Sequence, residues 1–471
     1  MNKTSSVVSF ISGLGGAGVA YAILSRDTKV CESVTPVKAP NSNVLNPSVR
    51  ISNNRDKKFE IAIKKSQEMA NIFRDEIGTP GLVIGVSVDG KTIWEEGFGH
   101  ANLETRTPCH VNTVMRIASI SKPITMTLLA KLCENKLVDL DKSVHDYVPY
   151  FPKKEVDGEE VDITVRQLAS HTSGVRHYTK KGEVKEKRGR DSGKEFYLKE
   201  KIDSVEKSVD LFKNDELLFK PGTSFEYTTH GYTLLSAVIE TASKKSFIQN
   251  IQEFFKLLNL ENTHLDKIET IIHGRASYYD KNKSGRIVNA QLTDNSYKWA
   301  GGGFVSTVGD LLKFGNIMLY SYQQADTDKP GYLNRQTVSE MWTPVGNGTV
   351  KLGKNAGQVS LRFSKMNIKF KVPLTVFFHS SYGLGWAVVP KQDNFGGVAE
   401  TQFHVGHSGG AVGASSVLLI FPSKYEKKKE KLELPSGIVV AILANLENVS
   451  CASLGQKIAN EFYKSYNNPE P

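Results

Sequence analysis

Apolar residues recur at roughly helical spacing at Phe59, Ile63, Met69, Ile72, Phe73 and Ile77, which predicts an amphipathic helix. Gly78-Thr79-Pro80-Gly81 stops it. Leu82 to Val88 then reads as a strand, Asp89-Gly90 as a hairpin turn and Thr92 to Glu96 as the returning partner. The pattern becomes helix-rich through the middle of the chain. Strand signals return at Ser415 to Phe421, closed by Pro422, and at Gly437 to Leu443. A basic loop, Ser423 to Lys431, separates these two runs, and Ala452 to Tyr466 reads as a closing amphipathic helix. Strands at both ends with helices between predict an α+β fold. Its antiparallel sheet is formed by the N- and C-terminal segments, flanked by helices, with an inserted helical subdomain and a cleft between the two parts.

The first residues differ in kind. Val7 to Leu24 is apolar or small and uncharged, Lys3 precedes it, Arg26 follows, and Asp27 is the first acid. As a helix these residues would span roughly 27 Å, barely enough to cross a bilayer. Gly13, Gly15, Gly16 and Gly18 weaken the helix but suit close helix packing. Four readings stay open: a membrane anchor, a cleaved secretory signal, a mitochondrial targeting segment with a sorting anchor, and a soluble core helix. Ser33 to Asn54, rich in Pro, Ser and Asn, reads as a linker. The expected organisation is a targeting or anchor segment at 1–27, a linker at 28–57 and one main domain at 58–466, with a basic insertion at about 178–207.

The chain has 471 residues, of which 39% are hydrophobic and 23% charged, ordinary for a globular protein of this size. The net charge of +10 would suggest a polyanionic partner. Much of that excess falls between Lys180 and Lys201, where Lys alternates with Glu and no aromatic series is set for base stacking. A solvated, mobile insertion is expected there, and no nucleic-acid partner. Cys31, Cys109, Cys133 and Cys451 form no Cys-x-x-Cys pair and no disulfide framework. No His-Glu-x-x-His run is present, so neither a metal nor an organic cofactor is expected.

The candidate chemistry lies at Ser119-Ile120-Ser121-Lys122, which opens an apolar helical run. Residues three apart on a helix share a face. A serine hydroxyl needs a base within hydrogen-bond reach, and a desolvated lysine can lose its proton and serve as one. A second Ser-x-x-Lys, Ser204 to Lys207, lies in charged sequence and reads as an exposed helix face. Downstream come Tyr227-Thr228-Thr229 and His407-Ser408-Gly409-Gly410. A phenol near an ammonium group can have a lowered pKa and carry protons. Thr229 could direct a hydroxyl toward the same pocket. Small residues at 408–410 let an edge backbone approach a substrate, so that its N–H and that of Ser119 form an oxyanion hole. His407 would supply a hydrogen bond or partial positive charge at the cleft.

The order Ser-x-x-Lys, Tyr-x-Thr, His-Ser-Gly resembles the serine β-lactamase and penicillin-binding-protein superfamily, in its class C-like branch of esterases and DD-peptidases. Val165 to Gly174, Trp299 to Thr307 and Tyr382-Gly383-Leu384-Gly385-Trp386 are also similar to that branch. His407 to Ser416, the Tyr-x-Thr variant, Phe212-Lys213-Asn214-Asp215 and the basic insertion resemble its animal mitochondrial members. The resemblance implies a serine-type peptidase acting on peptide or other amide bonds through an acyl-enzyme at Ser119. Lys122 and Tyr227 would be its catalytic partners, and Thr229, His407, Ser408 and Gly409 its substrate and oxyanion contacts. It also implies a mitochondrial location, plausibly the intermembrane space or inner membrane, a link to lipid metabolism, and self-assembly into homo-oligomers, with membrane contact through residues 7–24. Two other functions stay open. One is a non-catalytic, self-assembling membrane scaffold, and the other is an esterase or transacylase acting on lipids.

Two departures from the bacterial pattern matter. Tyr-x-Asn becomes Tyr227-Thr228-Thr229, and Lys-Thr-Gly becomes His407-Ser408-Gly409. A histidine, mostly neutral above its usual pKa of about 6.5, would anchor a substrate carboxylate less firmly than lysine. Substrates with free and blocked carboxylates are therefore expected to turn over comparably.

Overall fold

The computed structural model describes residues 49–51, 57–179, 194–324, 330–345, 381–391, 402–423 and 435–467. Val7–Leu24, most of the linker and the first half of the basic insertion lie outside the described residues.

One large antiparallel sheet carries the fold. Its main strands are β1 (Val49–Ile51), β2 (Gly81–Val88), β3 (Lys91–Asn102), β4 (Ser381–Tyr382), β5 (Ala387–Val389), β6 (His404–Ala411), β7 (Ala414–Pro422) and β8 (Gly437–Ala444). They lie in the order β1-β3-β2-β8-β7-β6-β5-β4, so the N- and C-terminal segments meet at the β2–β8 pair. The α+β architecture expected from the hydrophobic pattern is the one observed. Five helices matter to the site and its support: α1 (Glu60–Ile77), α2 (Ser121–Glu134), α3 (Thr229–Ser243), α4 (Val308–Gln323) and α5 (Ala452–Asn467).

Strand β8 is buried along its whole length, and its side chains part by parity as a strand's must. Ile438, Val440, Ile442 and Ala444 enter one core with Phe59, Trp94, Ile458 and Phe462, beneath α1 and α5. Val439, Ala441 and Leu443 enter the other core with Leu311, Phe314 and Ile124, beneath α2 and α4. Trp94 and Phe59 stack on Phe462 at ring distances of 6.5 and 5.7 Å. Both faces of the sheet are therefore closed to water around its central strands.

The Asp89-Gly90 turn forms as expected, with both residues at positive φ (48° and 76°), as a type I′ hairpin requires. Its second strand continues past Glu96 to Asn102. The glycines that follow Glu96 do not end the strand. A Cβ on Gly97 would come within 2.6 Å of the Cys109 carbonyl, so that glycine permits a neighbouring chain to lie close.

The second half of the insertion corrects an expectation in part. Within residues 194–207, positions 195–198 and Ile202 are half-buried and tied into the fold, while Lys194, Lys199, Glu200, Lys201 and Asp203 stay exposed as expected. Glu195 accepts two hydrogen bonds from Arg176 at 2.9 Å and lies 2.8 Å from His230 Nε2. The Asp294 N–H also bonds the Leu198 carbonyl, and the Ile202 N–H donates to the Ser296 hydroxyl. The sequence count of like charges hid this, because Glu195 finds its partners far along the chain. Ser204 does what its charged context predicted: it caps a short helix and accepts the Lys207 N–H at 3.1 Å.

Candidate active site

Ser119 lies in the tight turn Ala118–Ile120 that feeds α2. Ala118 holds φ at +49°, uncommon for a residue with a Cβ and a form of backbone strain that persists only where packing imposes it. Its methyl packs against Ala411 and Ala414 at the end of the β6–β7 hairpin. Ser119 itself is only half-buried, so its hydroxyl stands at the cleft while its neighbours are locked beneath it.

Lys122, one turn on, is fully buried. Its Nζ lies 3.1 Å from Ser119 Oγ, 3.2 Å from Thr229 Oγ1 and 2.7 Å from the Gly301 carbonyl. Among the described residues no carboxylate pairs with it. Burial, reinforced by the positive charge of Lys298, holds its pKa well below the usual lysine value. A free amine fits these three partners. It donates one N–H to the Gly301 carbonyl and one to Thr229, and keeps its lone pair for the Ser119 O–H.

Tyr227 precedes α3. Lys122 Nζ lies 4.6 Å from the centre of its ring. Its hydroxyl is buried and makes no closed hydrogen bond. A lowered phenol pKa was expected, and the structure places it in the opposite direction. Burial raises it, and a hydrogen-bonding interaction with Ser119 offsets this only in part. The burial that lowers the Lys122 pKa also weakens that group as a cation for a phenolate. Tyr227 is therefore a neutral phenol facing the nucleophile.

Thr229 is 2% exposed and is spent on Lys122, so the structure places it under the lysine rather than in the open cleft. Its backbone N–H is donated to His177 Nδ1 at 3.2 Å. The signal for Gly301 was present in Trp299-Ala300-Gly301-Gly302-Gly303, but its carbonyl could be assigned to Lys122 only in three dimensions. A Cβ on Gly301 would press 2.6 Å from the Thr229 methyl, so glycine is what lets this carbonyl reach the amine.

His407 to Gly410 lie inside β6, not in a turn ahead of it. Strand β5 covers β6 only from His404 to Gly406, which leaves the side of the strand from His407 onward to the Ser119 turn. At Gly409 the approach is closest. A Cβ there would collide with Ser416 Oγ and the Ile117 carbonyl, two groups bonded to each other at 2.8 Å. Ser408 and Gly410 are exposed beside it.

Of the two roles expected of His407, a hydrogen bond or a partial positive charge, the environment favours the first, in keeping with a mostly neutral ring. Burial, reinforced by Lys122, pushes its pKa down to about 3, so it is a neutral imidazole. Its Nδ1 lies 2.6 Å from the Ser408 carbonyl and its Nε2 2.9 Å from the Tyr382 hydroxyl. Sequence reasoning noticed the segment around Tyr382 only as a resemblance and missed this contact. It also missed His171, a buried ring at 4.4 Å from Tyr227 and 4.7 Å from Tyr382, whose Nδ1 accepts the Thr228 N–H. No helix among the described residues is long and apolar enough to cross a membrane, and no group of His, Cys, Asp and Glu among them could hold a metal ion.

The geometry agrees with what the chain is similar to. The Beta-lactamase family profile matches residues 67–455. The mitochondrial serine beta-lactamase-like protein LACTB of Mus musculus is 41% identical, over 86% of this chain and 81% of its own length. That of Homo sapiens is 40% identical over 86% and 80%. Among solved structures, the octameric penicillin-binding protein homologue from Pyrococcus abyssi superposes with a TM-score of 0.61 at 23% identity, covering 84% of this chain and 76% of that one. The profile match over most of its length and the relatives of about 40% identity show that the chain belongs to the β-lactamase family of serine hydrolases.

Proposed function

We propose that the protein is a serine hydrolase that cleaves peptide or other amide bonds through an acyl-enzyme at Ser119. The observation that carries the reading is the 3.1 Å approach of Lys122 Nζ to Ser119 Oγ, made by an amine whose pKa burial holds well below the usual lysine value. Ser119 Oγ attacks the substrate carbonyl carbon as its proton passes to Lys122 Nζ. The carbonyl oxygen becomes an oxyanion held by the N–H of Ser119 and the edge N–H of Gly410, just beyond Gly409. Tyr227, a neutral phenol, donates its proton to the leaving nitrogen as the C–N bond breaks. The phenol regains a proton from Lys122, which restores the free amine. Water then attacks the Ser119 ester, the same groups accept its proton, and the acid product leaves with Ser119 regenerated.

A neutral, fully bonded His407 supports turnover of substrates without a free carboxylate. The names of the mouse and human relatives support a mitochondrial location, and the octameric Pyrococcus homologue supports a homo-oligomer. An intermembrane-space or inner-membrane setting, with contact through residues 7–24 and a link to lipid metabolism, extends the same reading. The test is a panel of internally quenched peptides and matched esters, assayed with the full chain and with Ser119→Ala. Release from peptides that depends on Ser119 is expected. Ester turnover alone would move the reading to an esterase, and no turnover of either class would leave the non-catalytic scaffold.

A further inference from the structure

Tyr382 takes no part in the steps above, yet it is placed with care. The β4–β5 hairpin that carries it is pinned by Gly383, whose N–H bonds the Trp386 carbonyl at 2.9 Å. A Cβ on that glycine would collide with the Met341 carbonyl. Gly385, at φ +81°, packs against Met126 of α2, so the hairpin is seated on the nucleophile's own helix. The Tyr382 ring rests 4.7 Å from His171 and 6.0 Å from Phe225.

The Tyr382 hydroxyl meets His407 Nε2 at 2.9 Å while Nδ1 meets the Ser408 carbonyl at 2.6 Å. A carbonyl only accepts, so Nδ1 carries the ring proton and donates it. In the neutral ring Nε2 is then an acceptor, and the Tyr382 O–H is its donor. Both polar ends of the imidazole are satisfied inside the fold, and His407 is 6% exposed. A ring held this way has no proton to offer a substrate, although it lies 6.1 Å from the Tyr227 ring on the cleft side of β6.

We propose that Tyr382 is a specificity-determining lock on His407. By occupying Nε2 it keeps the imidazole from binding a substrate carboxylate, and so lets Ser119 accept blocked and free acids alike. The proposal rests on the acyl-transfer reading and deepens it by naming what sets the substrate class. The groups that face His407 are Lys122 from α2, Tyr227 ahead of α3, His171, Tyr382 from the hairpin, and the Ser408 carbonyl of its own strand. Its register partner across the sheet, Leu418, is uncharged. None of these is a carboxylate, so among the described residues no anion beside the ring competes with a carboxylate brought by the substrate. With the Tyr382 oxygen removed, the substrate carboxylate beside the ring opposes the burial that lowers the His407 pKa, so that in this complex Nε2 takes up a proton and donates it to the anion as a charge-assisted hydrogen bond.

The experiment compares hippuryl thioglycolate with its methyl ester, reading thiol release by the full chain between pH 5.5 and 8. The wild type should give a free-acid to ester ratio of kcat/KM near one. Tyr382→Phe should raise the ratio at pH 6 by about fivefold or more, as one new hydrogen bond of modest strength would. The gain should fade toward pH 8 as the ring loses its second proton. Tyr382→Leu should do the same, guarding against a folding defect peculiar to one variant. Adding His407→Gln to either should return the ratio to the wild-type value. A ratio unmoved in both single variants, or raised equally without His407, overturns the lock alone. Absence of Ser119-dependent turnover in the wild type overturns the hydrolase reading and the lock with it.

Discussion

Lys122 Nζ lies 3.1 Å from Ser119 Oγ and donates to the Gly301 carbonyl at 2.7 Å, with no paired carboxylate among the described residues. In that setting the ammonium form loses its hydration and gains no counter-ion, whereas the amine form loses little. In the proposed mechanism the serine is activated by a base whose free form burial favours.

The first prediction concerns that base. Lys122→Met should lower kcat/KM by about 10³-fold or more, in line with the loss of a general base beside a nucleophile. Lys122→Arg should fail as well, since a guanidinium does not lose its proton. Because the reactive form is the free amine and its pKa is depressed, activity should rise with pH to a plateau that is reached well below the ordinary lysine value of 10.5. Steady-state kinetics from pH 5 to 10 check this.

Tyr227 supplies a second prediction. Its pKa is raised by burial, so it stays a phenol through the alkaline range. The pH profile should show no loss of activity from Tyr227 ionisation below about pH 10, the usual tyrosine value. Tyr227→Phe should reduce kcat by about 10²-fold, within the range for one proton-transfer group. An alkaline limb near pH 8 that vanishes in Tyr227→Phe would contradict the assignment.

Gly409 tests the close approach of β6 to the nucleophile turn. Gly409→Val must push apart Ser416 Oγ and the Ile117 carbonyl, and with them the strained Ala118 that orients Ser119. Thermal unfolding should show a loss of about 1–3 kcal/mol, typical of overpacking, with acylation slowed by more than tenfold. Gly410→Ala meets open space and should unfold as the wild type does.

Glu195 tests the described half of the insertion. Its carboxylate joins Arg176 and His230 Nε2, both residues buried. Glu195→Ala should cost about 3–5 kcal/mol, because it leaves a buried cation with one fewer partner. Burial alone would raise the Glu195 pKa, but its bonds to His230 and Arg176 lower it below the usual 4.5. Its contribution is therefore present above pH 4.5 and is lost as pH falls through the lower folded value. Denaturant melts of wild type and Glu195→Gln between pH 3 and 7 should converge at the acid end.

What the sequence revealed follows the range of each interaction. Ser119 and Lys122 were legible because helical spacing is local, and the desolvation of Lys122 could be read from the apolar residues after it. Strands β2, β7 and β8 were legible from apolar runs, and their pairing followed from the position of each at a chain end. Gly301, Tyr382, His171 and Glu195 were not legible in role, because each acts on a partner far along the chain through a single atom. Tyr227 was found by order but misjudged in charge. The sign of its pKa shift is set by the burial of the phenol itself, which the local sequence does not show. His407 was judged a poor carboxylate anchor for the right residue but an incomplete reason, since Tyr382 and the Ser408 carbonyl had yet to be placed beside it.

The central claim is that Ser119 is a nucleophile because Lys122 is a neutral amine. The most direct test is intact-mass analysis after exposure to a fluorophosphonate across pH 5 to 9, with peptide mapping of the product. A single adduct on Ser119 is predicted, absent from Ser119→Ala and slowed at least about 10²-fold in Lys122→Met, the scale of one general base. An unmodified wild type, or a Ser119 adduct that forms equally fast without Lys122, would contradict the account.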